Sequence, residues 1–488
     1  MSIKKDILSG VAYTAIAKYA GVFISLGITA ILARCFTPEE FGVVNIATVF
    51  ISFFTLLSDL GIGPAVIQKD LSSKELDGIF CLTLISGFLL SLLFCLFSGW
   101  IASFYDNPPM LQNLLQILSL SIFFNSANMV PNALIMKAKR FSFVAYRTLA
   151  VQVLCGGIAV VAALKGLGIY ALLINPVGSA IVLFVINYLQ YPLKPIAPIN
   201  KALIDKIASF SLYQFLFQFI NYFSRNLDKL LMGKYMSMEV LGYYDKAYRL
   251  MLLPLQNITY VITPVMHPVF AQIREDKSNI AKSYLKMLGI MAFIGFPLAA
   301  GLYFMARNLV LLMFGWQWFE SIPAFKILAL SVGFQILTST TGAIFQAADA
   351  TKQMFYCGLF GAVCTAGAVL IALFTFATAE AVAWAITIAY FLCFVQAFIT
   401  LFVTTLKIGI KPFLQVLVRP LLLTLIMVIA MEAASWLLDT VFPGISRAGG
   451  LCVYLIVWFA VWISYMLIAK EKDVLEVFQY ILSKIRRK

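Results

Sequence analysis

The sequence predicts an all-α polytopic membrane protein. It has about fourteen transmembrane helices, arranged as two pseudo-symmetric six-helix lobes around a central cavity, with two C-terminal helices after them. Three observations predict it. The 488 residues are 62% hydrophobic and only 12% charged, with mean hydropathy +0.94, whereas a soluble chain carries about 25% charged residues. Apolar runs of ~20 residues or more recur from end to end, separated by short polar gaps. A weak internal repeat relates the first six runs to the next six. This composition leaves no room for a large soluble domain.

The first run, near 11–35, follows MSIKKDILSG and continues past Lys18 to Arg34 without a small-residue cleavage site. It reads as an uncleaved first span. The second, near 41–67, opens after TPEE and closes just past GIGP. The third (79–103) follows SSKELD, the fourth (112–135) follows YDNPP, the fifth (145–164) follows KAKR and the sixth (167–189) follows a lysine–glycine turn. These make an N-lobe, 1–189. Residues 190–206 contain Pro192, Pro195 and Pro198 and read as a stiff cytoplasmic connector between the lobes. Six more runs, near 207–232, 242–273, 284–306, 322–348, 354–376 and 380–405, make a C-lobe, 207–405. Two further spans, near 415–438 and 449–469, occupy 406–469. The tail, 470–488, spaces Val474, Leu475, Phe478, Ile481, Leu482 and Ile485 helically among Lys and Arg, and reads as a basic amphipathic helix on the inner leaflet.

Basic residues orient the spans. With both termini cytoplasmic, 25 of the 36 Lys and Arg fall in inside loops, Arg140 and Arg147 among them, and 6 fall outside. That bias fixes the topology. It also assigns the net charge of +14 to cytoplasmic loops rather than to nucleic-acid binding. The eight cysteines are scattered without a CxxC pair and read as small buried hydrophobes.

A shift of 200 residues aligns LARCFTPEEFGVVN (32–45) with MGKYMSMEVLGYYD (232–245). Glu39 meets Glu239, Gly42 meets Gly242, Arg34 meets Lys234, Thr37 meets Ser237 and Asn45 meets Asp245. Later the shift becomes 210, and QILSLS (116–121) meets KILALS (326–331). A six-span step preserves direction through the membrane. The repeat is therefore parallel, about an axis along the membrane normal, with a cavity between the halves.

Charge inside spans marks candidate sites, because a basic residue at mid-membrane costs roughly 2.5–3.5 kcal/mol on insertion scales. Arg225 lies eight residues before Gly233, or ~12 Å down the helix. Lys229 shares its face, and Asp228 lies beside them. Lys246 and Arg249 follow on the next span, with Asp245. Together these cations read as an anion-binding patch; the competing reading is that Lys246 and Arg249 snorkel to outer headgroups while Asp228 neutralises Lys229. Lys18 and Asp59 reach similar depth on the first two spans and are expected to pair, as packing or as a switching partner. His267, between Pro264 and Pro268, and Glu432 are further titratable groups within spans and candidates for ion coupling. No P-loop, HExxH, Cys/His metal pattern or Gly-x-Ser-x-Gly elbow occurs. The outside loops are too short for an enzymatic domain. Neither an enzyme nor a cofactor or metal is implied.

The segments TAILARCFTPEEFGVVNIATVF, LLSDLGIGPAVIQK and RNLDKLLMGKYMSMEVLGYYDKAYRL resemble the Wzx-type polysaccharide flippases of the multidrug/oligosaccharidyl-lipid/polysaccharide exporter superfamily, in the colanic-acid exporter branch. The resemblance covers nearly the whole chain. It implies two six-helix lobes forming a V, a bacterial inner-membrane location, and a polyprenyl-diphosphate-linked oligosaccharide as substrate, the polyprenol being undecaprenol. It also implies partners among polysaccharide polymerases and glycosyltransferases, and Na+ or H+ coupling. The family's basic cavity residues match Lys18, Arg225 and Lys229 here, with Arg34 and Arg249 beside them. The related peptidoglycan-precursor flippases carry more cavity arginines in the first two spans than this chain does. Two alternatives stand beside the flippase: a cation-coupled multidrug exporter, which calls for an acidic or apolar cavity, and a non-transporting scaffold for glycan assembly.

Overall fold

A computed structural model describes residues 3–59, 62–108, 110–198, 219, 222–223, 225–271, 277–442 and 444–469. Among these every regular element is helical. The chain divides into two compact units, Met1–Gly242 and Tyr243–Lys488.

The first unit contains α1 (Ile3–Cys35), α2 (Pro38–Asp59), α3 (Ile62–Gln68), α4 (Ser73–Phe104), α5 (Leu111–Lys137), α6 (Phe141–Leu164), α7 (Ala171–Gln190) and a helical segment at 225–235. Helix α2 starts where Thr37 accepts from the Glu40 amide while Glu40 accepts from the Thr37 amide at 2.8 Å, a reciprocal cap that satisfies two orphan N–H groups. Ser72 and Glu75 repeat the device at α4. Helix α5 is the hub, packing against α2, α3, α4 and α7. Its interior face buries Leu111, Leu114, Leu118 and Ile122, and also the hydroxyls of Ser119, Ser121 and Ser126. Each of those hydroxyls donates to a backbone carbonyl, as burial away from water requires. By contrast α4 turns Phe88, Leu92, Leu96 and Trp100 outward. An exposed apolar stripe of that length is stable only against lipid.

The second unit contains the greater part of α8 (Met238–Ala271), then α9 (Lys277–Met313), α10 (Ser321–Ala329), α11 (Val332–Thr338), α12 (Thr341–Ala347), α13 (Thr351–Thr375), α14 (Ala379–Ile399), α15 (Lys411–Thr440) and α16 (Arg447–Ala469). Helix α9 is its hub. Pro297 lies inside α9, so the carbonyl of Phe293, four residues back, has no helical donor. The indole N–H of Trp462 on α16 donates to that carbonyl at 2.9 Å, and Trp458 donates to the Pro297 carbonyl at 2.8 Å. The last span is thus stapled to α9 around its internal proline. Met305, Met427, Met431 and Tyr454 close an apolar cluster beside it.

Eleven described helices are long and apolar enough to span a membrane, and the bent pair Ser321–Ala329 and Val332–Ala347 makes up to twelve. That pair falls on the expected tenth span. The expected seventh span, 207–232, lies largely outside the described residues, and the eighth coincides with α8. The amphipathic tail, 470–488, lies outside them too. Of the eight cysteines expected to be buried, only Cys81 and Cys155 are; Cys95, Cys357, Cys364 and Cys393 are half-buried, and Cys35 and Cys452 are exposed.

The repeat has a physical counterpart within the first unit. A Cβ added to Gly42 would overlap the carbonyl of Met238, 2.6 Å from its carbon; one added to Gly242 would overlap the carbonyl of Pro38, 2.7 Å from its carbon. Under the 200-residue shift, 38 corresponds to 238 and 42 to 242. The two helix starts therefore interlock reciprocally, each glycine against the other's first turn. Glycine lets the backbones approach this closely.

Candidate functional site

Two recesses open in the first unit. The larger, of about 580 Å³, lies between α2, α3 and α5. Residues Asn125, Met129, Asn132 and Met136 follow one another at helical spacing and form one wall on α5. Ser52 and Thr55 on α2 face them, with Tyr222 closing one side. Tyr222 donates its hydroxyl to the Val49 carbonyl, tying the chain before 225–235 to α2. The smaller recess, of about 390 Å³, lies between α1 and α6 and is lined by Lys18, Ser25, Thr148 and Gln152. Met136 lines both. Lys18 therefore lines a recess that shares Met136 with the asparagine wall.

Arg147 stands behind that wall. It is the seventh residue of α6 and only 8% exposed. Its guanidinium donates to Asn187 on α7, and to Asn132 on α5 at 2.7 Å. Asn187 passes its own amide N–H to Asn128 at 2.6 Å. A guanidinium can only donate, so the oxygen of Asn132 is held toward it, while the same residue lines the recess. Counting Lys and Arg among the inside loops placed Arg147 with the solvated cations; the structure buries it in a span. The signal for it lay in three asparagines, at 128, 132 and 187, within otherwise apolar runs.

The other expected site residues distribute as follows. Arg225 is exposed and Lys229 half-buried on segment 225–235, with Asp228 buried between them. That segment is fixed to the end of α4, where Tyr105 donates to the Leu230 carbonyl at 3.2 Å and Lys234 pairs with Asp106 at 3.0 Å. Arg34 is exposed on the last turn of α1. Asp59 ends α2, but its side chain lies outside the described residues, and so does its expected pairing with Lys18. In the second unit Arg249 is exposed and pairs with buried Asp245 at 2.7 Å. Lys246 is fully buried, its ammonium 5.5 Å from the Phe314 ring and 5.2 Å from the Trp318 ring. The His267 side chain lies outside the described residues, and Glu432 is exposed on α15. Among the described residues no group of His, Cys, Asp and Glu is placed to hold a metal.

Helical throughout the described residues, with a polar recess and cations set among apolar spans, the chain has the architecture of a multi-pass membrane protein. It belongs to the family described as polysaccharide biosynthesis protein, whose match covers residues 31–323. Among curated proteins it is 26% identical to the teichuronic acid biosynthesis protein TuaB of Bacillus subtilis, over 73% of this chain and 74% of that one. It is 28% identical to the lipopolysaccharide biosynthesis protein WzxC of Escherichia coli over 68% of each chain. It is 25% identical to the succinoglycan biosynthesis transport protein ExoT of Rhizobium meliloti, over 78% of this chain and 77% of that one. Among solved structures, the lipid II flippase MurJ in an inward closed conformation superposes with TM-score 0.75 at 15% identity, covering 94% of this chain and 99% of MurJ. An inward-facing multidrug resistance transporter of the MATE family, in the MOP superfamily, gives TM-score 0.60 at 16% identity, covering 84% of this chain and 98% of its own. At these identities the two structures show the shared fold.

Proposed function

We propose that this protein is a flippase. It moves the sugar-diphosphate head of a polyprenyl-diphosphate-linked oligosaccharide from the cytoplasmic to the outer leaflet of the bacterial inner membrane, for surface polysaccharide synthesis. The match across residues 31–323 carries this reading, together with relatives named for lipopolysaccharide biosynthesis and succinoglycan transport. Both termini are cytoplasmic, the lobes are 1–189 and 207–405, and transport proceeds by alternating access.

Exposed Arg225 and half-buried Lys229 on segment 225–235 bind the diphosphate, and Lys18 in its recess supplies a third cation. Arginine's planar fork suits phosphate oxygens. Arg34 and Arg249, both exposed, guide the head group. Lys246 packs instead, since its ammonium faces two aromatic rings. A potential negative inside favours outward movement of an anion by about 2.3 kcal/mol per charge per 100 mV. A carrier of cationic drugs calls for an acidic or apolar cavity, and the basic bias of Arg225 and Lys229 argues against that reading.

The test uses proteoliposomes holding a fluorescent undecaprenyl-diphosphate oligosaccharide and an impermeant glycan-modifying enzyme outside. Wild type equilibrates the leaflets. Arg225→Ala slows equilibration at least tenfold, the loss expected for one charge-assisted hydrogen bond of roughly 1.5–3 kcal/mol. Equal rates would remove Arg225 from the site; no flipping by wild type, with an imposed potential and matched glycan, would overturn the flippase.

A further inference from the structure

Arg147 is buried, yet its hydrogen-bond partners, Asn132 and Asn187, are neutral, and its Nε has no partner. The face of Phe143, 5.8 Å away, is its remaining neighbour of note. A buried cation with no counter-charge among the described residues is not kept for stability, because an apolar residue of similar volume serves as well or better. Inside a membrane span such a residue marks a function.

Asn132, whose oxygen accepts from the guanidinium, is also a lining residue of the 580 Å³ recess, and a donor polarised by a charged neighbour makes a stronger hydrogen bond. The remaining lining divides into a polar edge, Ser52, Thr55 and Asn125, and apolar patches such as Leu56 and Met129. No charged side chain lines the recess among the described residues. Hydroxyl and amide groups beside apolar patches are the complement of a sugar ring, which has polar edges and apolar faces. The volume suits a ligand of a few rings. A positive charge one amide behind the wall selects, among sugars, those that carry a carboxylate.

We propose that the recess between α2, α3 and α5 is a subsite for an acidic sugar of the transported glycan, with Asn132 as the contacting donor and Arg147 as the positioning residue that makes it prefer uronic acids. This rests on the flippase reading for its biological substrate, but it is tested by binding alone.

The full chain in nanodiscs is titrated with trigalacturonic acid, maltotriose and inorganic diphosphate. Wild type binds trigalacturonic acid at least about tenfold more tightly than maltotriose. Asn125→Leu, at a residue outside the hydrogen bonds of Arg147 and its asparagines, weakens both trisaccharides while the melting temperature holds. Arg147→Met erases the preference, bringing trigalacturonic acid to the maltotriose level. Absence of a preference in wild type, or its survival in Arg147→Met, overturns the proposal. So does competition by diphosphate for the trigalacturonic acid site. Wild type that flips lipid-linked glycan yet shows no acidic preference sinks this inference alone; an acidic preference in a chain that does not flip leaves the subsite and removes the flippase.

Discussion

Helices α2 and α8 begin as copies and then part company in charge. Pro38 and Met238, Glu39 and Glu239, Gly42 and Gly242, and Ala47 and Ala247 occupy matching positions. Where α2 has Asn45, Ile46 and Val49, α8 has Asp245, Lys246 and Arg249. Asn45, Ile46 and Val49 are all buried. So are Asp245 and Lys246, while Arg249 is exposed. Lys246 therefore fills a core position whose partner in the repeat is a fully buried isoleucine. The comparison gives buried charge two different settings: rings beside Lys246, and neutral amides, one of them lining a recess, beside Arg147.

If the two helix starts are true equivalents, the glycine interlock is their shared feature, and breaking it gives the largest effect. Gly42→Ala and Gly242→Ala each drive a methyl into a backbone carbonyl, which cannot swing aside as a side chain can. Overpacking of this kind costs about 1–3 kcal/mol, and a backbone clash lies at the upper end or beyond. Both variants are expected to lower the thermal midpoint of the purified protein by similar amounts. A large loss in one and none in the other would show that the interlock is not reciprocal.

The repeat itself was legible in the sequence, because helix caps and close glycine contacts are local demands that leave fixed residues at fixed spacing. Thr37 and Ser237 are examples, each accepting from an amide three residues on. The all-helical class was legible for a similar reason, as lipid leaves few other ways to satisfy a backbone. The direction of each buried cation was not. Periodicity places Arg147 near a helix start, where snorkelling to headgroups and pointing at neighbouring helices look the same. Only the tertiary approach of α5 and α7 brings Asn132 and Asn187 to it. Lys246 presented the same ambiguity. Its signal was available in the 200-residue alignment, which sets it against Ile46.

The comparison sharpens at Asp245, which is buried where α2 carries a neutral amide. Asp245→Asn makes α8 resemble α2 and removes the 2.7 Å pair with Arg249. Arg249 is half exposed and regains water, so its share of the loss is small. The expected cost is about 1–2 kcal/mol, near that of one charged hydrogen bond, read as a modest fall in thermal midpoint. No change at all would mean that the neutral residue serves both helices equally. A loss as large as that of the glycine variants would make the carboxylate a central strut of α8.

The smallest effect belongs to Lys246→Ile, which writes the α2 residue into α8. If Lys246 is a core position, the swap trades an ammonium among the Phe314 and Trp318 rings for an apolar side chain. The cation–π attraction lost is about 2 kcal/mol for a desolvated pair, and the desolvation cost removed is several kcal/mol. These oppose each other, and the shorter isoleucine leaves some space unfilled. The net change in stability should stay within about 1 kcal/mol of zero. Flipping of lipid-linked oligosaccharide should stay within about twofold of wild type, in the same vesicles where Arg225→Ala is slow. If instead Lys246→Ile folds normally and flips as slowly as Arg225→Ala, then the ammonium leaves its rings during transport and Lys246 serves transport rather than packing.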